Sequence, residues 1–180
     1  MTLRTLVLGG TRSGKSAHAE GLLTSPDATY VATARRYPDD PDWDARIARH
    51  VRSRPASWHT AEVPSGLPAL LPSLTGPVIV DDLATWLTNV LDDANAWEGG
   101  GADEVEAECA ALVAAVAAVT FRLVLVSAEV GLGVVPPTRS GRLFRDHLGS
   151  LNARLAEVCD EVTLVVAGIP LRLREAGGSR

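Results

Sequence analysis

The chain has 180 residues, 46% of them apolar and 22% charged, with a formal net charge of −5. A single domain of this length buries about 70% of the surface its unfolded chain exposes, which excludes both a disordered chain and a mini-scaffold dependent on metal or disulfides. The negative balance supplies no general attraction to nucleic acid or anionic membrane, so an anionic ligand has to be caught locally.

The first apolar run, Leu6, Val7 and Leu8, is too short for a signal-peptide core. Cys109 and Cys159 show neither C-x-x-C nor zinc spacing and read as reduced core residues, which makes cytoplasm the expected compartment. Short unalternated apolar runs mark strands covered on both faces at Thr5 to Leu8, Thr29 to Thr33, Val78 to Val80, Leu123 to Ser127 and Val162 to Ala167. Helices are expected from Lys15 to Leu23, about Asp42 to Arg52, Ala84 to Leu91, Asp103 to Val119 and Arg139 to Val158. In the last of these Phe144, Leu148, Leu151, Leu155 and Val158 form one stripe. Cys109 to Val126 reads as a buried helix running into a buried strand, since a spanning helix needs about 20 strongly apolar residues. Ile169 to Arg174 alternates like an edge strand, and Ala94 to Ala102 reads as a flexible glycine-rich connection. The pattern is α/β: a mostly parallel sheet with helices on both faces, one domain over 1–174, and a polar tail over 175–180.

Gly9-Gly10-Thr11-Arg12-Ser13-Gly14-Lys15-Ser16 fits G-x-x-x-x-G-K-[ST] between a predicted strand and a predicted helix. Its glycines let backbone amides close around phosphates. Lys15 would neutralise the β and γ phosphates, and the Ser16 hydroxyl would ligate Mg²⁺. Among 17 basic residues Lys15 is the only lysine, which suggests chemistry that arginine cannot perform.

Val78-Ile79-Val80-Asp81-Asp82 ends a strand in carboxylates, and Asp81 is the preferred Mg²⁺ partner of Ser16. Glu129 ends another strand, with a metal, base, ribose or plain loop role open. Arg35 to Arg54 carries six arginines and four aspartates around His50. On a helix Trp43, Arg46, Ile47, His50 and Arg54 share a face. Flanking guanidiniums would keep the His50 imidazole neutral, and a solvated charged helix is the bland alternative. His18, His59 and His147 have no ligand spacing. Arg139, Arg142 and Arg145 line one side of the last helix, either toward an anion or as ordinary surface residues, and Val134 to Pro137 reads as a stiff loop before it.

In this order the pieces resemble the bifunctional adenosylcobinamide kinase and adenosylcobinamide-phosphate guanylyltransferase family of cobalamin biosynthesis. The resemblance rests on the Gly9 to Ser16 loop, Tyr30-Val31-Ala32-Thr33-Ala34, Arg46-Ile47 with His50, Arg54-Pro55, and Trp58 leading to Glu62. It continues through Asp81, Thr88-Asn89, Glu129-Val130-Gly131, Arg142 to Asn152, and Val165 to Pro170. It departs at Arg35, Trp43, Asp82 and Ala128, where Gln, Met, Cys and Asn are usual. The resemblance implies a RecA-like P-loop fold, ATP or GTP as donor with Mg²⁺, and His50 as the nucleophile that becomes guanylylated. It extends nucleotide contact to Ala32, Thr33, Ala34, Val51, Arg52, Ser53, Arg54, Glu62 and Asp81. It further implies a corrinoid substrate and a homo-oligomer, a trimer. Two other functions stay open: a single-activity small-molecule kinase in which His50 only binds phosphate, and a nucleotide-dependent regulatory module without turnover.

Overall fold

The computed structural model describes residues 4–35 and 55–177. The expected helix around Asp42 to Arg52 lies outside them. The described residues build one seven-stranded sheet in the order β3-β2-β4-β5-β1-β6-β7. Its strands are β1 (Arg4–Gly9), β2 (Thr29–Ala32), β3 (His59–Glu62), β4 (Val78–Asp81), β5 (Leu123–Ala128), β6 (Glu161–Val166) and β7 (Ile169–Arg174). All neighbours are parallel except β6 and β7. The helices are α1 (Lys15–Gly21), α2 (Leu67–Leu70), α3 (Leu83–Asp93), α4 (Ala102–Ala118) and α5 (Arg139–Val158).

Strand alternation sorts the core into two layers. Leu6, Leu8, Val31, Val78, Val80, Leu123 and Leu125 pack against the helices α2 to α5. Their neighbours Val7, Tyr30, Ile79, Val124 and Val126 face the other way, onto Ala19 of α1 with Leu23 and Trp58. In α3, Leu83, Trp86, Leu87, Val90 and Leu91 recur at helical spacing and are buried, so truncating Leu87 to Ala would cost about 2–5 kcal/mol. The α5 stripe holds, with Leu148, Leu151 and Leu155 buried and Phe144 and Val158 packed at its margins. Cys109 and Cys159 are free and buried; burial pushes their thiols up to about 11 and about 12, leaving both inert at neutral pH.

Cys109 to Val126 is the end of α4 followed by β5, and among the described residues no helix is long and apolar enough to cross a membrane. Two expectations change. The Ala94 to Ala102 connection is shaped as well as glycine-rich: it holds a 3-10 turn over Ala96–Glu98 with Ala96 buried. Gly101 there is left-handed, and a Cβ would stand 2.1 Å from the Ala94 carbonyl oxygen. The second change is β3, an edge strand with no apolar run to announce it.

Candidate active site

Parallel register gathers the strand ends. Ala32 lies opposite both Glu62 and Asp81, while Gly9 lies opposite Ala128 on one side and Val165 on the other. Glu62, Ala32, Asp81, Gly9 and the residues after β5 therefore share the carboxyl edge, where open parallel sheets bind ligands.

At that edge the glycine loop runs from β1 into α1. A Cβ on Gly9 would meet Ser13 Oγ at 2.4 Å and the Val165 carbonyl oxygen at 2.8 Å, so only glycine fits. Arg12 and Gly14 both adopt positive φ, at 57° and 91°. The Ser13 N–H closes a turn onto the Gly10 carbonyl at 3.2 Å. Lys15 Nζ folds back over the loop to the same carbonyl at 3.4 Å. The next side chain, Ser16, donates to Asp81 Oδ1 at 3.3 Å.

The two strand-end acids take different faces. Asp81 follows Ile79 by two residues and so points to the α1 side, where it accepts from Ser16 and from the Tyr30 hydroxyl. Asp82 points to the α3 side and caps that helix, its Oδ1 accepting from the Thr85 N–H at 2.7 Å. Thr33 ties the same bend down, donating its hydroxyl to the Asp82 carbonyl at 2.8 Å and accepting from the Asp82 N–H at 3.1 Å. Asn89 then holds the Thr33 carbonyl at 2.8 Å and the Pro64 carbonyl at 2.9 Å through one buried amide. These roles of Tyr30, Thr33 and Asn89 had no counterpart in the sequence reading beyond their place in the resemblance. Two residues of separation along β2 and β4 was the available signal for Tyr30.

Glu129 sits at the same edge, its N–H bonded to the Gly9 carbonyl at 3.1 Å. Its carboxylate turns onto its own loop, accepting from the Gly131 N–H at 2.6 Å. Three of the four arginines of α5 bind main chain. Arg142 donates to the Pro136 and Pro137 carbonyls and Arg145 to Gly133, so these two clamp the connection before the helix, while Arg139 donates to the Trp97 carbonyl in the connection between α3 and α4. His50, Val51, Arg52, Ser53 and Arg54 lie outside the described residues.

A glycine loop wrapped between a central strand and a helix, with an acid on the next strand but one facing the helix's first serine, defines the P-loop class of α/β nucleotide-binding folds. The fold is shared with an ATPase from the type III secretion system of pathogenic bacteria, at a TM-score of 0.53 over 90% of this chain and 50% of that one, with 9% identity. Residues 5–173 match the family described as cobinamide kinase / cobinamide phosphate guanyltransferase, and the chain belongs to that family. The bifunctional adenosylcobalamin biosynthesis protein CobU of Salmonella typhimurium is 38% identical over 180 residues, covering 94% of this chain and 98% of its own. CobP of Pseudomonas aeruginosa, also described as bifunctional in adenosylcobalamin biosynthesis, is 40% identical over 179 residues, covering 96% and 98%.

Proposed function

We propose that this enzyme carries out both reactions named for its family. In the first, the aminopropanol hydroxyl of adenosylcobinamide attacks the γ-phosphorus of ATP or GTP and the nucleoside diphosphate leaves. In the second, an imidazole nitrogen of His50 attacks the α-phosphorus of GTP, breaking the bond to pyrophosphate. The oxygen of the corrinoid phosphate then displaces the imidazole, giving adenosylcobinamide-GDP. A covalent intermediate splits one difficult displacement into two easier ones.

The observation that carries the reading is the convergence of Ser16 and Asp81 to 3.3 Å beside the loop. A hydroxyl and a carboxylate are hard oxygen donors, and that donor set fits Mg²⁺. Ser16 and Asp81 would hold Mg²⁺, which when bound would supply neutralisation of the charge developing on the phosphates. Lys15 contributes a compact cation over the loop, and the loop amides hold phosphate oxygens. Ala32, Thr33, Ala34 and Glu62 line the neighbouring strand ends and are assigned to the nucleotide, as are Val51 to Arg54.

The same reading makes the protein a cytoplasmic homo-oligomer, a trimer. Ile169, Leu171 and Leu173 expose an alternate apolar row on the edge strand, which a second copy would cover. Incubation with adenosylcobinamide and either γ-labelled or α-labelled GTP tests the whole scheme. Label from the γ position appears in corrinoid phosphate and label from the α position in corrinoid-GDP. Transfer of the γ label alone would reduce the protein to a kinase, and sedimentation as a monomer would remove the trimer.

A further inference from the structure

The hairpin between β6 and β7 turns on Ala167 and Gly168, both left-handed, with φ of 52° and 80°. Two successive residues of this kind make the tight turn that suits the twist of paired strands. The turn does more than reverse the chain. The Gly168 N–H donates to the Ser13 carbonyl in the glycine loop at 2.8 Å. A Cβ on Gly14 would lie 3.4 Å from the Gly168 Cα. The tip of the hairpin is thus packed against the back of the loop, some 155 residues away in sequence.

A trans peptide points its C=O and N–H in opposite directions. Holding the Ser13 carbonyl toward the hairpin therefore turns the Gly14 N–H toward the opposite side, the hollow of the loop. The reversed peptide would present a carbonyl oxygen to a phosphate, which repels it. We propose that Gly168 is a positioning residue for nucleotide use: its main-chain N–H locks the Ser13–Gly14 peptide in the orientation that presents a donor to phosphate. The inference rests on the glycine loop being the phosphate site, as proposed above. It assigns the hairpin turn a part in that site although no side chain of the turn reaches it.

The test exploits the open space around Gly168, where an added Cβ meets nothing within 4 Å. Gly168→Ala therefore acts through the backbone alone, by disfavouring the left-handed conformation that aims the N–H, and Gly168→Val disfavours that conformation more strongly. Gly76 is a matched control: it has φ of 84° and nothing within 4 Å of its Cβ position, and it lies just before β4 at the far end of the sheet. Affinities for GTP and for inorganic tripolyphosphate are measured by calorimetry. Gly168→Val is expected to weaken both about tenfold, Gly168→Ala to weaken them less, and Gly76→Val to leave both within about twofold. In the unmodified protein, exchange of the Gly168 amide with solvent should slow at least about tenfold when tripolyphosphate saturates the loop, because phosphate held by the Gly14 N–H stabilises the peptide orientation in which the Gly168 bond is made. Equal affinities in Gly168→Val and Gly76→Val, or unchanged exchange at Gly168, would overturn the proposal. Lys15→Ala separates the two levels: loss of tripolyphosphate binding there with none in Gly168→Val sinks only the hairpin's role, whereas retention in Lys15→Ala sinks the phosphate site itself.

Discussion

Tyr30 donates its phenolic hydrogen to Asp81 Oδ2 at 2.5 Å, leaving Oδ1 to accept from Ser16 at 3.3 Å. The carboxylate is thereby aimed along the α1 face of the sheet, at the first turn of the helix that follows the glycine loop. Asp82, one residue on, faces α3 and is used as a helix cap.

That division of labour gives the first expectation. Asp81→Asn should raise the Mg²⁺ concentration needed for half-maximal activity about tenfold or more, with little change in nucleotide binding measured without metal. Tyr30→Phe should move the same quantity in the same direction by less, since one orienting bond contributes about 1 kcal/mol. Asp82→Asn keeps a capping oxygen and should leave the Mg²⁺ requirement alone, while Asp82→Ala should cost about 1 kcal/mol of stability. A Mg²⁺ titration of the four variants checks this, and the reverse order for Asp81 and Asp82 would reassign the acid.

Lys15 is the second case. Its ammonium lies 3.4 Å from the Gly10 carbonyl, over the loop it follows. Arginine there would bring a planar fork too broad for a cradle of backbone amides. Lys15→Arg is expected to lower phosphotransfer about a hundredfold at saturating nucleotide and Mg²⁺, the scale on which one lost electrostatic contact acts. Activity near that of the unmodified enzyme would refute the role.

Much of this was legible in the sequence, for reasons that differ by element. The motif from Gly9 to Ser16 is local, so spacing alone identified loop, strand and helix. Strand parity sets Asp81 on the face of Ile79 and Asp82 on the other, but which of those faces looks onto α1 came from the packing of Ile79 against Ala19. The strand His59–Glu62 was hidden: Thr60, Ala61 and Glu62 give no apolar run, and pairing with β2 holds them extended. The clamp of Arg142 and Arg145 on the preceding loop was not separable from a surface charge row until the carbonyls of Gly133 and Pro136 were placed. The Gly168 contact with Ser13 was out of reach because nothing local encodes a main-chain bond between ends of the chain.

A third expectation concerns the opposite end of the sheet. Arg4 binds Asp160 through its main-chain N–H at 2.8 Å and through its guanidinium at 3.2 and 3.3 Å. Burial pushes the Asp160 carboxyl up, but the hydrogen bonds and charge of Arg4 outweigh it and hold the carboxyl below its ordinary value. A carboxyl lowered by folding stabilises the protein above its unfolded-state value of about 3.9 and loses that contribution as pH falls through the lower folded value. Arg4→Met should lower the melting temperature at pH 7 and flatten its decline between about pH 4 and pH 2. Thermal unfolding across that range decides it, and parallel curves for the two proteins would show that Arg4 does not set the Asp160 titration.

The last expectation is the guanylylated histidine. Arg46, Ile47 and His50 match the family's R-I-x-x-H stretch, and no other histidine in the chain stands in that setting. Incubation with GTP and Mg²⁺ in the absence of corrinoid should leave one GMP per active site, joined through a phosphorus–nitrogen bond that hydrolyses in acid and resists base. A hydroxyl or carboxylate adduct would not share that stability. Only the neutral imidazole has a lone pair with which to attack, so formation should fall as pH drops below the histidine's pKa. Arg46 and Arg54 lie outside the described residues; were their segment helical, their guanidiniums would flank the imidazole and lower that value. His50→Asn should abolish the adduct and the transfer of GMP while phosphorylation of adenosylcobinamide continues, because the glycine loop does not use the imidazole. Peptide mapping of the labelled protein checks the assignment. Label on His59, or an undiminished adduct in His50→Asn, would overturn the mechanism and leave the kinase step standing.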